Sequence, residues 1–311
     1  MDILLLAVND WANLGFNFAK ALKAVGADAC MVLRFGRRSY AYSSSNRGVR
    51  RNSKQIINMA KDVKIIQFIH SQYINIGSVK NKRIFVCHGG TKYRQDPDEI
   101  NKIFNPIVEK TIIQTGDLLG LGAKNEIWVL APVDTKKIQP VYNINEEKII
   151  INHFPSMAKN KGTKIINGVM KKLNDDSYIK DKIYYNFSSK RVIWEKNLER
   201  ISKCDIYIEM LVLEQCGKKY GEWGVTALEA AALGKIVITN FQSLERYKKE
   251  YGECPLIIIN SGEELEQTVK QLISMSKEEL LKIKKNMRKW VEDLHSYKAI
   301  GQRLKKKVYN I

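Results

Sequence analysis

Apolar positions along this chain gather into short continuous runs, separated by longer stretches whose apolar residues recur at helical spacing. The order of these segments predicts strand, helix, strand, helix over most of the length. Residues 2–8 form the first run, a polar loop follows from Asn9 to Gly15, and Phe18, Leu22 and Val25 then mark one face of a helix. Runs at 28–33, 64–69, 83–87, 109–113 and 126–130 have the length and continuity of strands covered on both faces of a parallel sheet. A second series starts after Pro140, with strand-like runs at 148–153, 182–187, 205–209, 236–239 and 256–259. Helical windows at 162–173, 190–203, 224–233 and 263–273 alternate with them. The chain ends in two more helices, 277–294 and, from Ser296 as N-cap, through Tyr309. The polar stretch Ser39–Ser53 is expected to be one long loop.

Two alternating series predict an α/β protein of two Rossmann-like doubly wound domains facing each other across a cleft. The expected boundaries are 1–140 for the first domain, 146–295 for the second, and 296–311 for a closing helix, with the linker near Pro132 to Asn145. A length of 311 residues suits two domains of ordinary size. In such sheets ligands bind beyond the carboxyl ends of the strands, so the loops after each strand are where chemistry is sought.

Composition adds three constraints. No stretch approaches the roughly 18 uninterrupted apolar residues of a membrane span, and a cytoplasmic protein is expected. The five cysteines are scattered without a C-x-x-C pair, which predicts buried free thiols and neither a redox centre nor a structural metal. A formal net charge of +19 predicts a field that attracts nucleic acid, anionic membrane or anionic metabolites. Much of it falls on the lysine-rich C-terminal helices, where a solvated face accounts for it. More specific is the stretch from Arg34 to Lys54, which holds Arg34, Arg37, Arg38, Arg47, Arg50 and Arg51 with Phe35, Tyr40 and Tyr42 and no acidic residue. A loop of this kind grips phosphates and stacks on bases, or settles on anionic headgroups.

Four clusters fall where strands should end. The first, Asn9 to Gly15, lacks the G-x-G-x-x-G fingerprint, although Gly15 admits close approach to the backbone and Asn13 offers both donor and acceptor groups. The second is His88, Gly89, Gly90, Thr91, Lys92, Tyr93 and Arg94, where two glycines let the chain turn and present an imidazole into a cleft. In the third, His153 to Ser156 lead into Lys161, Gly162 and Thr163 at a helix start, which supplies an ammonium, oriented amides and the Ser156 hydroxyl for a pyrophosphate. The fourth runs from Gly221 to Thr239: a loop breaks into a helix at Gly224, Val225 and Thr226, carries Glu229 just over one turn in, and turns at Gly234 into a strand. A helix start favours phosphate, and a carboxylate one turn along accepts hydrogen bonds from sugar hydroxyls. The sequence Asp96, Pro97, Asp98 has a D-x-D form, but Pro97 before a helix predicts an N-cap turn and no metal is assigned.

These clusters, in this order, resemble the retaining glycosyltransferases of family 4, which have the GT-B fold. The resemblance implies transfer of a sugar from a nucleoside diphosphate sugar, a UDP- or GDP-sugar first, with retention, and with no cofactor or metal. It implies that Lys161 contacts the donor diphosphate, that Glu229 holds the ribose, that His88 lies near the transferred sugar, and that the final helix crosses back to the first domain. Two departures are visible. The family motif has two glutamates separated by seven residues, and counting back from Glu229 puts Gly221 at the first place, with Glu222 one position late. The family's arginine ahead of the lysine is also missing, Pro155 and Ser156 standing in that region.

The expected catalytic set is therefore His88, Lys161 and Glu222, with Asn13, Gly15, Ser156, Lys161, Gly162, Thr163, Gly224, Val225, Thr226 and Glu229 around the donor. Arg37, Arg38, Arg50, Arg51, Lys92 and Arg94 are expected at the acceptor, a glycan or glycolipid, with peripheral contact to the inner face of an anionic membrane and no stable protein partner. Two alternatives stand beside it: sugar transfer to a modified base in nucleic acid, which the basic loop favours, and a non-catalytic nucleotide-sugar or nucleic-acid binding module, which the displaced glutamate favours.

Overall fold

The computed structural model describes residues 2–35, 42–78, 80–142, 147–215 and 217–311. The chain divides into two compact units: Met1–Asp134 with Leu294–Ile311, and Thr135–Asp293.

The first unit is built on a seven-stranded sheet. Its strands are β1 (Ile3–Ala7), β2 (Ala29–Leu33), β3 (Val49–Arg50), β4 (Ile65–Ile69), β5 (Arg83–His88), β6 (Lys110–Ile113) and β7 (Glu126–Trp128), in the spatial order β3-β2-β1-β4-β5-β6-β7. Every pair is parallel. The apolar runs become strands because helices cover both faces: β1 and β4 are buried at every position. The helices are α1 (Leu14–Lys23), α2 (Ser53–Lys61), α3 (Gly90–Gln95) and α4 (Pro97–Phe104). The direction of strand addition reverses between β1 and β4, which makes the loops after these two strands the switch point of the sheet.

The expected long loop at Ser39–Ser53 is only partly a loop. Val49 and Arg50 pair with Val32 and Leu33 as an edge strand, and α2 begins at Ser53 behind a capping box in which Asn52 and Gln55 exchange hydrogen bonds.

The second unit holds β8 (Ile149–His153), β9 (Ile183–Phe187), β10 (Ile206–Met210), β13 (Ile236–Thr239) and β14 (Ile257–Ile258), all parallel, in the order β14-β13-β10-β8-β9. A small hairpin, β11 (Glu214–Gln215) and β12 (Lys218–Lys219), lies outside that sheet. Its helices are α5 (Thr163–Asp175), α6 (Trp194–Ser202), α7 (Val225–Ala232), α8 (Leu244–Tyr251), α9 (Gly262–Ser274) and α10 (Lys277–Trp290). Here the switch point lies between β8 and β10.

After α10 the chain returns to the first unit. The last helix, α11 (Tyr297–Arg303), packs on α1 so closely that a methyl at Gly301 would lie 2.1 Å from the Ala21 carbonyl oxygen. Ser296 caps it by accepting from the Ala299 N–H, and the Tyr309 hydroxyl donates to Gln67 in the buried sheet. No described helix is long and apolar enough to cross a membrane.

Candidate functional site

Each unit brings polar side chains together at its switch point. In the second unit, β8 ends at His153 and the chain passes through a short 3-10 turn, Ala158–Lys161, before α5. Gly162 between them has φ of +67°, and a Cβ there would lie 1.8 Å from the Leu211 carbonyl oxygen, so only glycine fits. The Leu211 N–H donates to the Lys161 carbonyl at 3.1 Å, which ties the lysine backbone to the end of β10. His153, buried and with its pKa pushed down to about 4 by desolvation, bonds the Ile208 carbonyl through Nδ1 and the Thr163 hydroxyl through Nε2. A neutral ring accounts for both bonds, donating to the carbonyl and accepting from the hydroxyl. Thr163 thus anchors α5 and is itself buried.

The Lys161 ammonium does not turn to the helix its own neighbours form. It pairs with the carboxylate of Glu209, from β10, and the same carboxylate oxygen accepts the Gly224 N–H at 3.2 Å. Gly224 is the N-cap of α7 with an extended backbone, so conformation does not demand glycine. The space beside it is taken by the charged pair: a Cβ at Gly224 would lie 2.7 Å from the Glu209 oxygen and 2.9 Å from the Lys161 nitrogen, so a side chain there would push both charged ends aside. Val225 and Thr226, half-buried, open the helix beside this pair. Among these groups Lys161 keeps access to solvent, its side chain 18% exposed against 1% for Glu209.

Glu229 lies on α7 and is buried. Its carboxylate accepts a 2.6 Å hydrogen bond from the indole N–H of Trp194 at the start of α6, and Lys137 sits over the indole ring. Desolvation pushes the pKa of Glu229 up to about 7, the indole N–H opposing and the Glu209 charge adding to the shift. Ser156, by contrast, is exposed.

The motif departure has a steric reason. A Cβ at Gly221 would lie 2.6 Å from the Asn240 side-chain nitrogen, which donates to the carbonyls of Val212 and Tyr220. Glu222, expected to stand in for the missing glutamate, is buried instead and accepts from the Ser243 hydroxyl at 2.7 Å. Its neighbour Trp223 packs on Phe241, Tyr247 and Trp290 and pins the loop to the core. The carboxylate that does reach Lys161 is Glu209. Sequence reading missed it and Trp194, although an acidic residue inside the buried run Ile206–Met210 was a visible signal.

At the first unit's switch point, Asp10 accepts from the N–H groups of Gly15 and Phe16 at 2.8 and 2.9 Å, and from His70 at 3.2 Å. Gln72 closes the rest, accepting from Val8 and Asn9 and donating to the Asn9 carbonyl. Asn13 is buried with its amide on the Asn46 carbonyl, and Gly15 is small because Met31 lies 2.7 Å from where its Cβ would be.

His88 does not face a cleft. The imidazole is fully buried, stacked on Tyr93 at 4.1 Å and edge-on to Phe104, with Nδ1 on the Ser71 hydroxyl; burial pushes its pKa down to about 3. Arg94 is likewise buried and paired with Asp117 at 2.5 Å, which removes it from an exposed acceptor surface. Lys92, Arg50 and the half-buried Arg51 reach solvent, and Arg34 stacks over the exposed Phe35 at 5.1 Å. Arg37, Arg38 and Tyr40 lie outside the described residues. Asp96 is the N-cap residue of α4, with Pro97 in its first turn.

No protein-family model matches the chain, and no curated protein matches it. Solved structures do. The chain is similar to HepE of Anabaena in complex with UDP and glucose, with a TM-score of 0.67 at 11% identity over 100% of both chains. It is also similar to a glycosyltransferase of Rickettsia africae, with a TM-score of 0.69 at 15% identity over 99% of this chain and 97% of that one. Sucrose-phosphate synthase of Thermosynechococcus elongatus matches with a TM-score of 0.64 at 12% identity, over 99% and 98%. Two parallel-sheet α/β units are what these chains share with it, and the fold is GT-B.

Proposed function

We propose that the protein is a glycosyltransferase that takes a sugar from a nucleoside diphosphate sugar, a UDP- or GDP-sugar, and transfers it with retention to a glycan or glycolipid. The observation that carries this reading is the meeting of the Lys161 ammonium with the start of α7 at the second unit's switch point, one turn ahead of Glu229. An ammonium and helix N–H groups hold a diphosphate, and a buried carboxylate one turn along receives ribose hydroxyls. HepE, whose crystals contain UDP with glucose, is consistent with that donor class.

In this reading the departing diphosphate gathers negative charge as the glycosidic bond breaks, and Lys161 with the N–H groups of Gly224, Val225 and Thr226 stabilises it. Gly162 fixes the lysine backbone, and Thr163 and His153 fix the helix behind it. Glu229 exchanges the Trp194 N–H for ribose hydroxyls. The charge is carried by these groups without a metal. Arg50, Arg51 and Lys92 are assigned to the acceptor, with anionic headgroups or a glycan as the matching chemistry. His88, held neutral in the core, acts as packing for Tyr93.

A panel of UDP-, GDP-, dTDP- and ADP-sugars, assayed for nucleotide release with and without lipid-linked glycan acceptors, tests the proposal. Release from at least one donor, lost on Lys161→Ala, is expected. No release from any donor, with no thermal shift by the four diphosphates, contradicts it.

A further inference from the structure

The Lys161–Glu209 pair raises a question of charge. At the second unit's switch point the Lys161 ammonium and the N-cap N–H of Gly224 already converge on a single carboxylate oxygen of this chain. A diphosphate arriving there meets a neutral pair rather than a free cation. It also meets a carboxylate whose side chain is almost completely buried on a strand. Taking Lys161 away from Glu209 leaves that carboxylate unpaired in a place water hardly reaches, which is the costly way to break a buried ion pair.

The exchange becomes favourable only when the ligand brings other contacts. A free phosphate or pyrophosphate offers little beyond the groups Glu209 already satisfies. A whole nucleotide adds its ribose at Glu229 and its base nearby. We infer that Glu209 is a specificity-determining residue, an internal anion that holds the diphosphate seat in the ligand-free protein and sets the same cost on every phosphate ligand, which leaves only ligands with the added contacts of a nucleoside able to bind. The inference rests on the donor-site reading above and deepens it.

Three features of the site support an exchange rather than a fixed brace. Lys161 sits on a turn outside the sheet and retains solvent access, so the ammonium is the mobile partner. Gly224 leaves open the space in which both charged groups lie, where any side chain would displace them. Glu209 makes one bond to the helix start, at 3.2 Å, so Lys161 is its main partner. The same residue accounts for Gly221 and Glu222: the carboxylate near the lysine comes from β10, and the loop is free to pack on Asn240 and Ser243.

The test uses the full chain and calorimetric titration with inorganic pyrophosphate and with UDP and GDP. In Glu209→Gln the amide oxygen still accepts the Gly224 N–H while the competing charge is gone. Pyrophosphate and nucleoside diphosphate affinities are both expected to rise at least tenfold, so that pyrophosphate binding becomes measurable. Glu209→Ser, which empties the seat, should show the same trend, and Lys161→Met placed on Glu209→Gln should abolish the gain. Unchanged or weaker pyrophosphate binding in both Glu209 variants, while the wild type binds UDP or GDP, overturns the inference and leaves the donor site standing. A gain for pyrophosphate with no nucleoside diphosphate bound by any variant supports the internal anion and overturns the donor-site reading.

Discussion

The two switch points are built alike and finished differently. In each, a loop after a central strand meets the start of a helix, and in each a carboxylate of the chain itself occupies the helix N–H groups. At α1, Asp10 takes two N–H groups and His70, and Gln72 zips the loop to β1. At α7, Glu209 takes one longer bond and depends on a partly exposed lysine. The first arrangement is a cap in which Asp10 is satisfied by two N–H groups and His70 of the chain itself, and nothing in it gains from an incoming anion. The second is an ion pair with a partly exposed ammonium, and in the proposed donor site it is this pair that an incoming anion enters. A strand-loop-helix pattern therefore does not by itself make a phosphate site; in the proposed reading an exchangeable cation does.

The largest effect that sharpens this contrast is expected from acid. His88 and His295 in the first unit and His153 in the second are buried, with desolvation pushing their pKa values down to about 3, 4 and 4. A histidine with a depressed folded pKa contributes stability above about pH 6.5 that is lost as pH falls through the folded value. Between pH 7 and 4 these groups cost the first unit about 6 kcal/mol. Glu229 acts oppositely: its folded pKa is raised, so its contribution is present below the unfolded value and is lost as pH rises through about 7. Its protonation offsets His153 in the second unit. Hydrogen exchange followed unit by unit should show the first unit losing protection first; equal loss would contradict the assignment.

Lys161→Ala comes next. It should weaken UDP or GDP binding about 100-fold, about 3 kcal/mol, and destabilise the second unit by a similar amount because Glu209 is left unpaired. Asp10→Ala is its counterpart, expected to lower stability by about 2 kcal/mol through the lost helix cap while leaving nucleotide affinity within twofold in titration. A large loss of affinity in that variant would erase the distinction between the two sites. Glu229→Gln should gain stability relative to wild type by about 2 kcal/mol between pH 5 and 7, read from denaturant midpoints, because the amide keeps the Trp194 bond and carries no charge. The smallest change is expected from Arg50→Ser with Arg51→Ser, which should slow transfer to acceptor and leave nucleotide affinity unaltered.

Much of the fold was legible because buried parallel strands are continuous apolar runs and their helices carry one apolar face. The segments 28–33, 64–69 and 236–239 needed no more than that. Edge strand β3 was not legible, since both of its residues are exposed and it reads as loop; α2 was signalled by Asn52 and Gln55 at capping-box spacing and by Ile56 and Ala60 one turn apart. Within the site, the run from Gly224 to Glu229 and the turn at Lys161 could be read locally. Their connection could not, because Glu209 joins residues far apart in the chain and a strand pattern does not say which side chain meets which loop. His88 shows the reverse error: two following glycines suggested a turn into a cleft, while stacking on Tyr93 and Phe104 drew the ring into the core.

The most direct measurement is of the backbone amides themselves. In a nitrogen-15 labelled protein titrated with UDP and with GDP, the Gly224 and Val225 resonances should shift saturably with one of the two, and those of Gly15 and Phe16 should not move. Shifts confined to Gly15 and Phe16, or none at either helix start, would contradict the assignment of the diphosphate to α7.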